Sequence, residues 1–379
     1  MAILGLMVAL SEWLAQNTAA KHLGSALLVI VLTAVVANVG LIPSVTKGSP
    51  VYDAIFSTLA PLAIFWLLLH VDLHSVLKAG APMLIMFALG AAGTVAGVFL
   101  GMRVTGGTGV FGEEGAALAG MYTGTYIGGS VNFNAVAVHY GVVRDGLLYA
   151  GAAVVDNAAT TLWMAATVAI PSLLAPLWKS RYGRPGNEIG KIDLRIEVQG
   201  ETMTATGLGL LTALGMGSVW ISDRLAAWSG TVFGMEVPSI LILTTIALIL
   251  AQVPLIRKIK GAYLIGWFAI LVFLAAIGAL CDVRALAGVG QLGVHLVILV
   301  ATIIVVHALI TFGGAALFRV DPAVASVASQ ANIGGGVSAL ALARSLERDD
   351  LALPGILVGS LGYAAGTYIG FLVTALLAH

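Results

Sequence analysis

Residues 124–141 read GTYIGGSVNFNAVAVHYG, and residues 329–343 read SQANIGGGVSALALA. Each puts Ile-Gly-Gly inside an apolar run with amides close by. The two align without a gap: Ile127, Gly128, Gly129, Val131, Ala135 and Ala137 recur as Ile333, Gly334, Gly335, Val337, Ala341 and Ala343. A helix interrupted at paired glycines exposes carbonyls at one broken end and N–H groups at the other. In hydrocarbon each unsatisfied group costs several kcal/mol, so such a break persists only where protein, water or a ligand occupies it. The N–H end suits an anionic group and the carbonyl end suits Na⁺.

The surroundings are those of a bilayer protein. The 379 residues are 59% hydrophobic and 9% charged, with a mean hydropathy of +1.03. Soluble chains carry about 25% charged residues. Apolar runs near the ~20 residues that a spanning helix needs recur throughout. They are expected at 2–16, 24–42, 53–70, 80–101, 116–140, 147–175, 205–222, 238–255, 261–280, 292–318, 323–343 and 351–378. The alternating ten-residue pattern of a β-barrel is absent. Opposite charges balance at 18 each, which gives no basic excess for a nucleic-acid partner. Cys281 is the single cysteine, with no metal-ligand cluster around it. The N-terminal apolar run lacks a basic n-region and a small-residue cleavage site, and reads as a first helix that stays in the protein.

The polar stretch 177–204 divides the chain into an N-terminal repeat, 1–176, and a C-terminal repeat, 205–379. Landmarks recur in the same order. "HVDLHSVLKAG" from His70 matches "LCDVRALAGVG" from Leu280, with Asp72 over Asp282, and "RDGLLYAG" from Arg144 matches "DDLALPG" from Asp349. Six full crossings per half would give parallel repeats; five crossings and one re-entrant segment would give inverted repeats. With the linker in the cytoplasm, the second count places Lys21, Lys78, Arg257–Lys260, Arg319, Arg344 and Arg348 inside. Glu113, Glu114, Asp223 and Glu236 then fall outside, as the positive-inside tendency requires. The expected fold is an all-α polytopic membrane protein of two inverted repeats, each with about five transmembrane helices and one Gly-Gly broken or re-entrant segment.

Two facing breaks can build one polar site at the midplane. The candidate substrate-binding set is Thr125, Gly128, Gly129, Ser130, Asn132 and Asn134 from the first half, and Asn332, Gly334, Gly335, Gly336 and Ser338 from the second. Close helix packing is the competing reading, since small residues at four-residue spacing mark helix interfaces and the chain has 47 glycines. The second constellation is VVDNAATT. Asp156 is the one carboxylate deep in any expected segment, with no Lys or Arg at comparable depth. It needs a bound cation, a proton or a bond to a neighbouring helix. Asp156, Asn157, Thr160, Thr161 and Gln330 form the candidate ion-binding set, with hard oxygens that suit Na⁺. His307 reads either as a proton carrier or as a neutral imidazole bonded to a backbone carbonyl.

The landmarks LSEWLA, NVGLIP, GTYIGGSVNFNAVA, VVDNA and ANIGGGVSALALA resemble the YjcL-like family of bacterial membrane proteins, catalogued as a domain of unknown function, over essentially the whole chain. More distantly, the paired Gly-Gly segments look like those of the glutamate–sodium and 2-hydroxycarboxylate–sodium symporters. That resemblance implies inverted repeats with glycine-rich re-entrant tips, a scaffold and a transport domain, a homodimer and an elevator-like movement. The breaks here read Gly-Gly-Ser-Val and Gly-Gly-Gly-Val, and neither carries an arginine. The leading expectation is an ion-coupled secondary transporter, driven by Na⁺ or H⁺, for a small polar or anionic organic solute. It would reside as a multi-pass protein in the inner (plasma) membrane, in contact with the lipid bilayer and without a cofactor other than Na⁺ as coupling ion. A channel is the first alternative and an intramembrane enzyme the second. For the latter the sequence offers one deep acid where an aspartyl protease needs two, no HExxH, and no convincing Ser–His pair. No GxxxxGK[ST] loop is present for ATP.

Overall fold

In the computed structural model the described residues are 1–18, 24–43, 49–174, 176–177, 203–233, 237–280 and 290–378. Most of the 177–204 linker, Lys21, Glu236, Cys281 and Asp282 lie outside them. The described residues are mostly helical, with no strand among them. Seven helices are long and apolar enough to cross a membrane, and two shorter apolar helices accompany them.

The order of elements repeats between the halves. The first half contains α1 (Ala2–Asn17), α2 (Gly24–Asn38), α3 (Pro50–Leu68), α4 (Ala81–Thr105), α5 (Gly115–Gly128), α6 (Ser130–His139) and α7 (Gly146–Leu174). The second contains α8 (Ala205–Phe233), α9 (Ser239–Ala251), α10 (Ala262–Leu280), α11 (Gly290–Phe318), α12 (Pro322–Ile333), α13 (Gly335–Ser345) and α14 (Ala352–Leu377). A single 3₁₀ turn precedes the last helix of each half, at Val142–Arg144 and Asp349–Leu351. Each expected apolar run is therefore a helix, or a pair of helices at the glycine breaks. The run expected to stop at 222 continues to Phe233. Asp223 and Arg224 extend it on its exposed face, the Arg224 guanidinium lying 5.5 Å from the Trp220 ring centroid.

Helix α3 contains one π-helical turn, Ile55–Leu59. Its cause is local. Pro61 has no N–H to give to the carbonyl four residues back, and the ladder slips so that Ala60 N–H reaches Ile55 O.

The chain forms two compact units, each drawing on both halves. The first is Met1–His70, Ala137–Asn157 and Val198–Leu296; the second is Val71–Val136, Ala158–Glu197 and Val297–His379. Within the first unit the packing is exchanged between repeats. α10 packs on α2, and its counterpart α3 packs on α9, the counterpart of α2. In the same way α1 packs on α10, and α8 on α3. Trp66 on α3 donates to Leu211 O on α8 at 2.9 Å, and Trp267 on α10 donates to Glu12 on α1 at 2.9 Å.

Both glycine breaks belong to the second unit, and both are helical hairpins. A straight helix rises about 1.5 Å per residue, so residues eight apart are about 12 Å apart. Here a Cβ placed on Gly124 would lie 3.0 Å from that of Asn132, and Gly120 and Val136 both touch Gly370. Both pairs are centred on residue 128, as antiparallel arms require. In the second hairpin α12 and α13 pack on one another, and Val327 and Ala339 both meet Gly355. That arrangement is centred on residue 333.

α14 is the shared spine of this unit. Gly120, Gly124 and Gly128 of α5 run antiparallel to Gly370, Gly366 and Gly362 of α14, with backbone in contact with backbone at each level. One helical turn earlier, Gly359 and Gly355 of α14 take the second hairpin at Gly336 and at Val327 and Ala339. A second small-residue stripe, Gly90, Gly93, Gly97 and Gly101 of α4, packs against His307, Ile303 and Leu299 of α11. Close approach of this kind is the main source of helix association in a solvent as apolar as the side chains themselves. The packing reading of the glycines and the broken-helix reading are thus both realised, at neighbouring positions of the same helices.

Candidate functional site

The two hairpin apexes converge. Gly129 has φ +97° and ψ 175°, and Gly335 has φ +79°. Both are conformations that side chains with a Cβ rarely adopt. Both face one side chain of α14. A Cβ on Gly129 would lie 3.2 Å from Tyr363 Cε1, and one on Gly335 would lie 2.9 Å from Tyr363 Oη. The hairpins also touch directly, Asn332 Nδ2 donating to Ile127 O at 3.4 Å.

Each hairpin is held by a threonine from the last helix of the opposite half. Thr367 on α14 donates to Asn132 Oδ1 at 2.7 Å, and Asn132 Nδ2 donates to Gly124 O and Gly362 O at 3.4 and 3.3 Å. All polar atoms of Asn132 are therefore engaged, and its side chain locks the first hairpin to the spine. Thr167 Oγ1 on α7 lies 3.2 Å from Gln330 Oε1, its one proton also facing the Trp163 and Met164 carbonyls at 2.9 and 3.0 Å. The exchange mirrors that of the first unit.

Of the other predicted substrate residues, Thr125 is buried and its carbonyl accepts the Gly129 N–H at 2.7 Å. Asn134 is buried, and Ser130 is exposed at the start of α6. Gly334 N–H donates to Gln330 O, and Ser338 Oγ donates to Gly335 O at 2.9 Å, so this serine closes the apex on itself. Gly336 lies against Ile356 and Gly359. Two amide atoms remain over. Gln330 Nε2 and Asn332 Oδ1, on fully buried side chains, have no hydrogen-bond partner among the described residues. One is a donor and the other an acceptor. Left so, each costs about 1–3 kcal/mol.

Beneath the second apex runs a polar network that the sequence reading did not assemble. Thr94 Oγ1 donates to Tyr126 O at 2.9 Å, which leaves it an acceptor toward His307 Nδ1 at 3.1 Å. Gly90 O, also an acceptor, lies 2.9 Å from the same nitrogen. Nδ1 therefore carries the proton. Nε2 then accepts from Ser329 Oγ at 2.8 Å, and Ser329 Oγ accepts from Trp163 Nε1 at 3.0 Å. Every partner suits a neutral imidazole bonded to a backbone carbonyl, the second of the two readings of His307. A Ser–His pair thus exists, contrary to the sequence reading. It lies fully buried in helix packing, with the Gly90 carbonyl at Nδ1.

The ion-binding candidates divide between the units. Asp156 and Asn157 end the α7 segment of the first unit; Thr160, Thr161 and Gln330 belong to the second. Asp156 is 9% exposed. Asn157 Nδ2 is turned onto its own helix, donating to Ala153 O at 2.7 Å. Thr160 follows Asp156 by one turn and is half-buried, whereas Thr161 is exposed. Gln330 is reached by Thr167, not by Thr160 or Thr161. Among the described residues no group of three or more His, Cys, Asp or Glu is placed to hold a metal ion.

The mouth of the second hairpin is pinned by charge. Asp321 caps α12 through Ala323 N–H, and Arg348, beyond α13, bonds Asp321 at 2.6 Å and Asp350 twice at 2.8 Å. The Asp350 hydrogen bonds hold the guanidinium above its ordinary range, against the opposing effect of burial, with Asp321 adding to the rise. Arg348→Gln removes the clamp and leaves two half-buried carboxylates facing one another. We expect a loss of about 2 kcal/mol, read as a lower midpoint of thermal unfolding in detergent at neutral pH.

A family profile described as "Protein of unknown function (DUF819)" matches residues 2–379. The chain belongs to the DUF819 family. It is 27% identical over 367 residues to the "Uncharacterized membrane protein YjcL" of Bacillus subtilis (strain 168), an alignment that covers 93% of this chain and 89% of that protein. The all-helical architecture and the seven long apolar helices agree with a membrane protein. In this DUF819 protein the hairpin apexes and Tyr363 form the candidate site; Gln330 Nε2 lies near Gly334, and Asn332 Oδ1 faces Gly90 of α4. Thr367, Trp163 and Thr167 escaped the sequence reading, and Tyr363 stood in it only as a hydroxyl at the place that matches Asp156, not as the meeting point of the apexes. The available signal was the four-residue glycine spacing of α14, in which Tyr363 is the one bulky polar residue between Gly359 and Gly366.

Proposed function

We propose that this protein is an ion-coupled secondary transporter of a small polar or anionic organic solute, driven by Na⁺ or H⁺. The observation that carries the reading is the meeting of two glycine apexes at Tyr363, each apex in a backbone conformation that favours glycine. A polar solute bound there meets the backbone that the paired hairpins bring to the apexes. The exchange of packing partners between the halves supports inverted repeats. On this reading the second unit, which holds both apexes, is the transport domain of an elevator, and the first unit is its scaffold. The assembly is a homodimer in the inner (plasma) membrane, crossing it many times, with the linker in the cytoplasm and the hairpins re-entrant.

The experiment is a stabilisation screen of the purified protein with Na⁺, Li⁺ and K⁺, alone and with amino acids, short peptides and carboxylates. A ligand at 100 times its dissociation constant stabilises the folded state by about 2.7 kcal/mol. Hits are then tested for gradient-driven uptake into proteoliposomes. A solute that stabilises the protein and accumulates against its gradient, with an ion dependence, is the expected result. Flux that only ever dissipates a gradient, with steady conductance in planar bilayers, would establish a channel instead.

A further inference from the structure

The first unit contains a cleft of its own, of about 270 Å³. Five segments build it: the π turn of α3, the end of α6 with His139, the 3₁₀ turn that follows, α8 and the start of α9. Arg144 and Asp223 both line it. Both are exposed residues, and among the described residues neither side chain has a hydrogen bond or an ion pair. Opposite charges that share one small cleft without pairing present two separate electrostatic anchors. An anion seated on Arg144 meets the repulsion of Asp223, and a cation on Asp223 meets that of Arg144. A ligand that carries both charges satisfies both groups and adds no net charge. Ser57 and Ser239 line the wall, with Phe56 and Leu243 as apolar residues. Ser57 belongs to the π turn, a distortion that often marks a functional site. The volume falls just below the ~300–1,000 Å³ of drug-sized pockets, which suits a ligand of a few heavy atoms or the head of a larger one.

We infer that this cleft binds a small zwitterion, its oxyanion on Arg144 and its ammonium on Asp223. Two sources share that chemistry: a free amino acid, and the head group of an ethanolamine phospholipid. The site is separate from the hairpin apexes, which belong to the other unit.

The test uses the full chain, purified and delipidated in a maltoside detergent. Thermal unfolding is followed with L-alanine, with glycerophosphoethanolamine, and with acetate and ethylammonium as half-ligands. One of the two zwitterions is expected to raise the midpoint, with neither half-ligand doing so at the same concentration. Arg144→Gln and Asp223→Asn should each weaken the response at least tenfold in apparent dissociation constant, with helicity and gel-filtration elution unchanged because both positions are exposed. Gly335→Val should keep it, which separates this site from the apex. A response to glycerophosphoethanolamine, with ethanolamine lipid retained by the wild type in native mass spectrometry and lost from the variants, assigns the lipid source. A response to alanine alone assigns the free solute. No shift with either zwitterion, equal shifts in both variants, or a half-ligand that reproduces the effect overturns the inference.

Discussion

Gly129→Val and Gly335→Val are each expected to abolish the proposed uptake into proteoliposomes while leaving membrane insertion intact. The backbone argument comes first. Gly129, at φ +97° and ψ 175°, occupies a region that is essentially reserved for glycine, where another residue costs of order 1–3 kcal/mol. A branched side chain at Gly335, with φ +79°, carries a similar strain. The contact argument adds to it. The first carbon of either side chain would press on Tyr363, at 3.2 Å from the first apex and 2.9 Å from the second. Together these amount to about 3 kcal/mol, roughly 100-fold in an equilibrium between apex geometries. The double variant Gly335→Val with Tyr363→Ala separates the two causes. Uptake that returns in the double variant assigns the loss to the contact; uptake that stays absent assigns it to the backbone. Wild-type rates in both single variants would reduce the apexes to packing features, and the proposed site would go with them.

What the sequence could and could not reveal follows from the range of each interaction. Helix positions depend on local apolar runs, and the runs at 80–101, 261–280 and 292–318 correspond to α4, α10 and α11 within a few residues. The breaks were legible because Gly-Gly between amides is a local anomaly in hydrocarbon. Whether each break is a re-entrant hairpin or a crossing broken helix stayed open in the sequence; Gly124 beside Asn132 shows antiparallel arms at the first. The partners across the fold were not legible. Asn132 reads as a ligand-binding amide in the sequence, yet its oxygen is taken by Thr367, 235 residues away. Gln330 was grouped with Asp156 through residue chemistry; its observed partner is Thr167. In helices that are apolar on every side, no hydrophobic stripe indicates which face meets which neighbour. The register therefore depends on glycine spacing, and only a paired reading of the α5 and α14 stripes would have placed Tyr363 between the apexes. His307 shows the same limit. Its carbonyl bond was anticipated as a type, but its serine, threonine and tryptophan neighbours come from three other helices.

Asp156→Asn has the largest expected effect on coupling. The residue is 9% exposed on an apolar 29-residue helix. At the centre of a bilayer a carboxylate costs at least about 2.5 kcal/mol on insertion scales, so Asp156 calls for a bound cation, a proton or a bond to a neighbouring helix. The amide keeps the shape and removes the charge. If Asp156 binds Na⁺, the dissociation constant for Na⁺ rises at least tenfold, while substrate affinity at saturating Na⁺ falls less, because the solute is held at the apexes. If Asp156 carries a proton, the wild type shows no sodium dependence, and its uptake follows the pH gradient. The Asn variant then loses gradient-driven accumulation but keeps exchange of internal for external solute, since a permanently neutral side chain mimics the protonated state. The two cases are told apart by measuring accumulation and exchange in the same vesicles, with sodium and pH gradients imposed separately. An Asp156→Asn protein with unchanged sodium and pH dependence would leave Asp156 a structural acid of the first unit and move the search for the coupling group to Thr160, Gln330 and the carbonyls of the apexes.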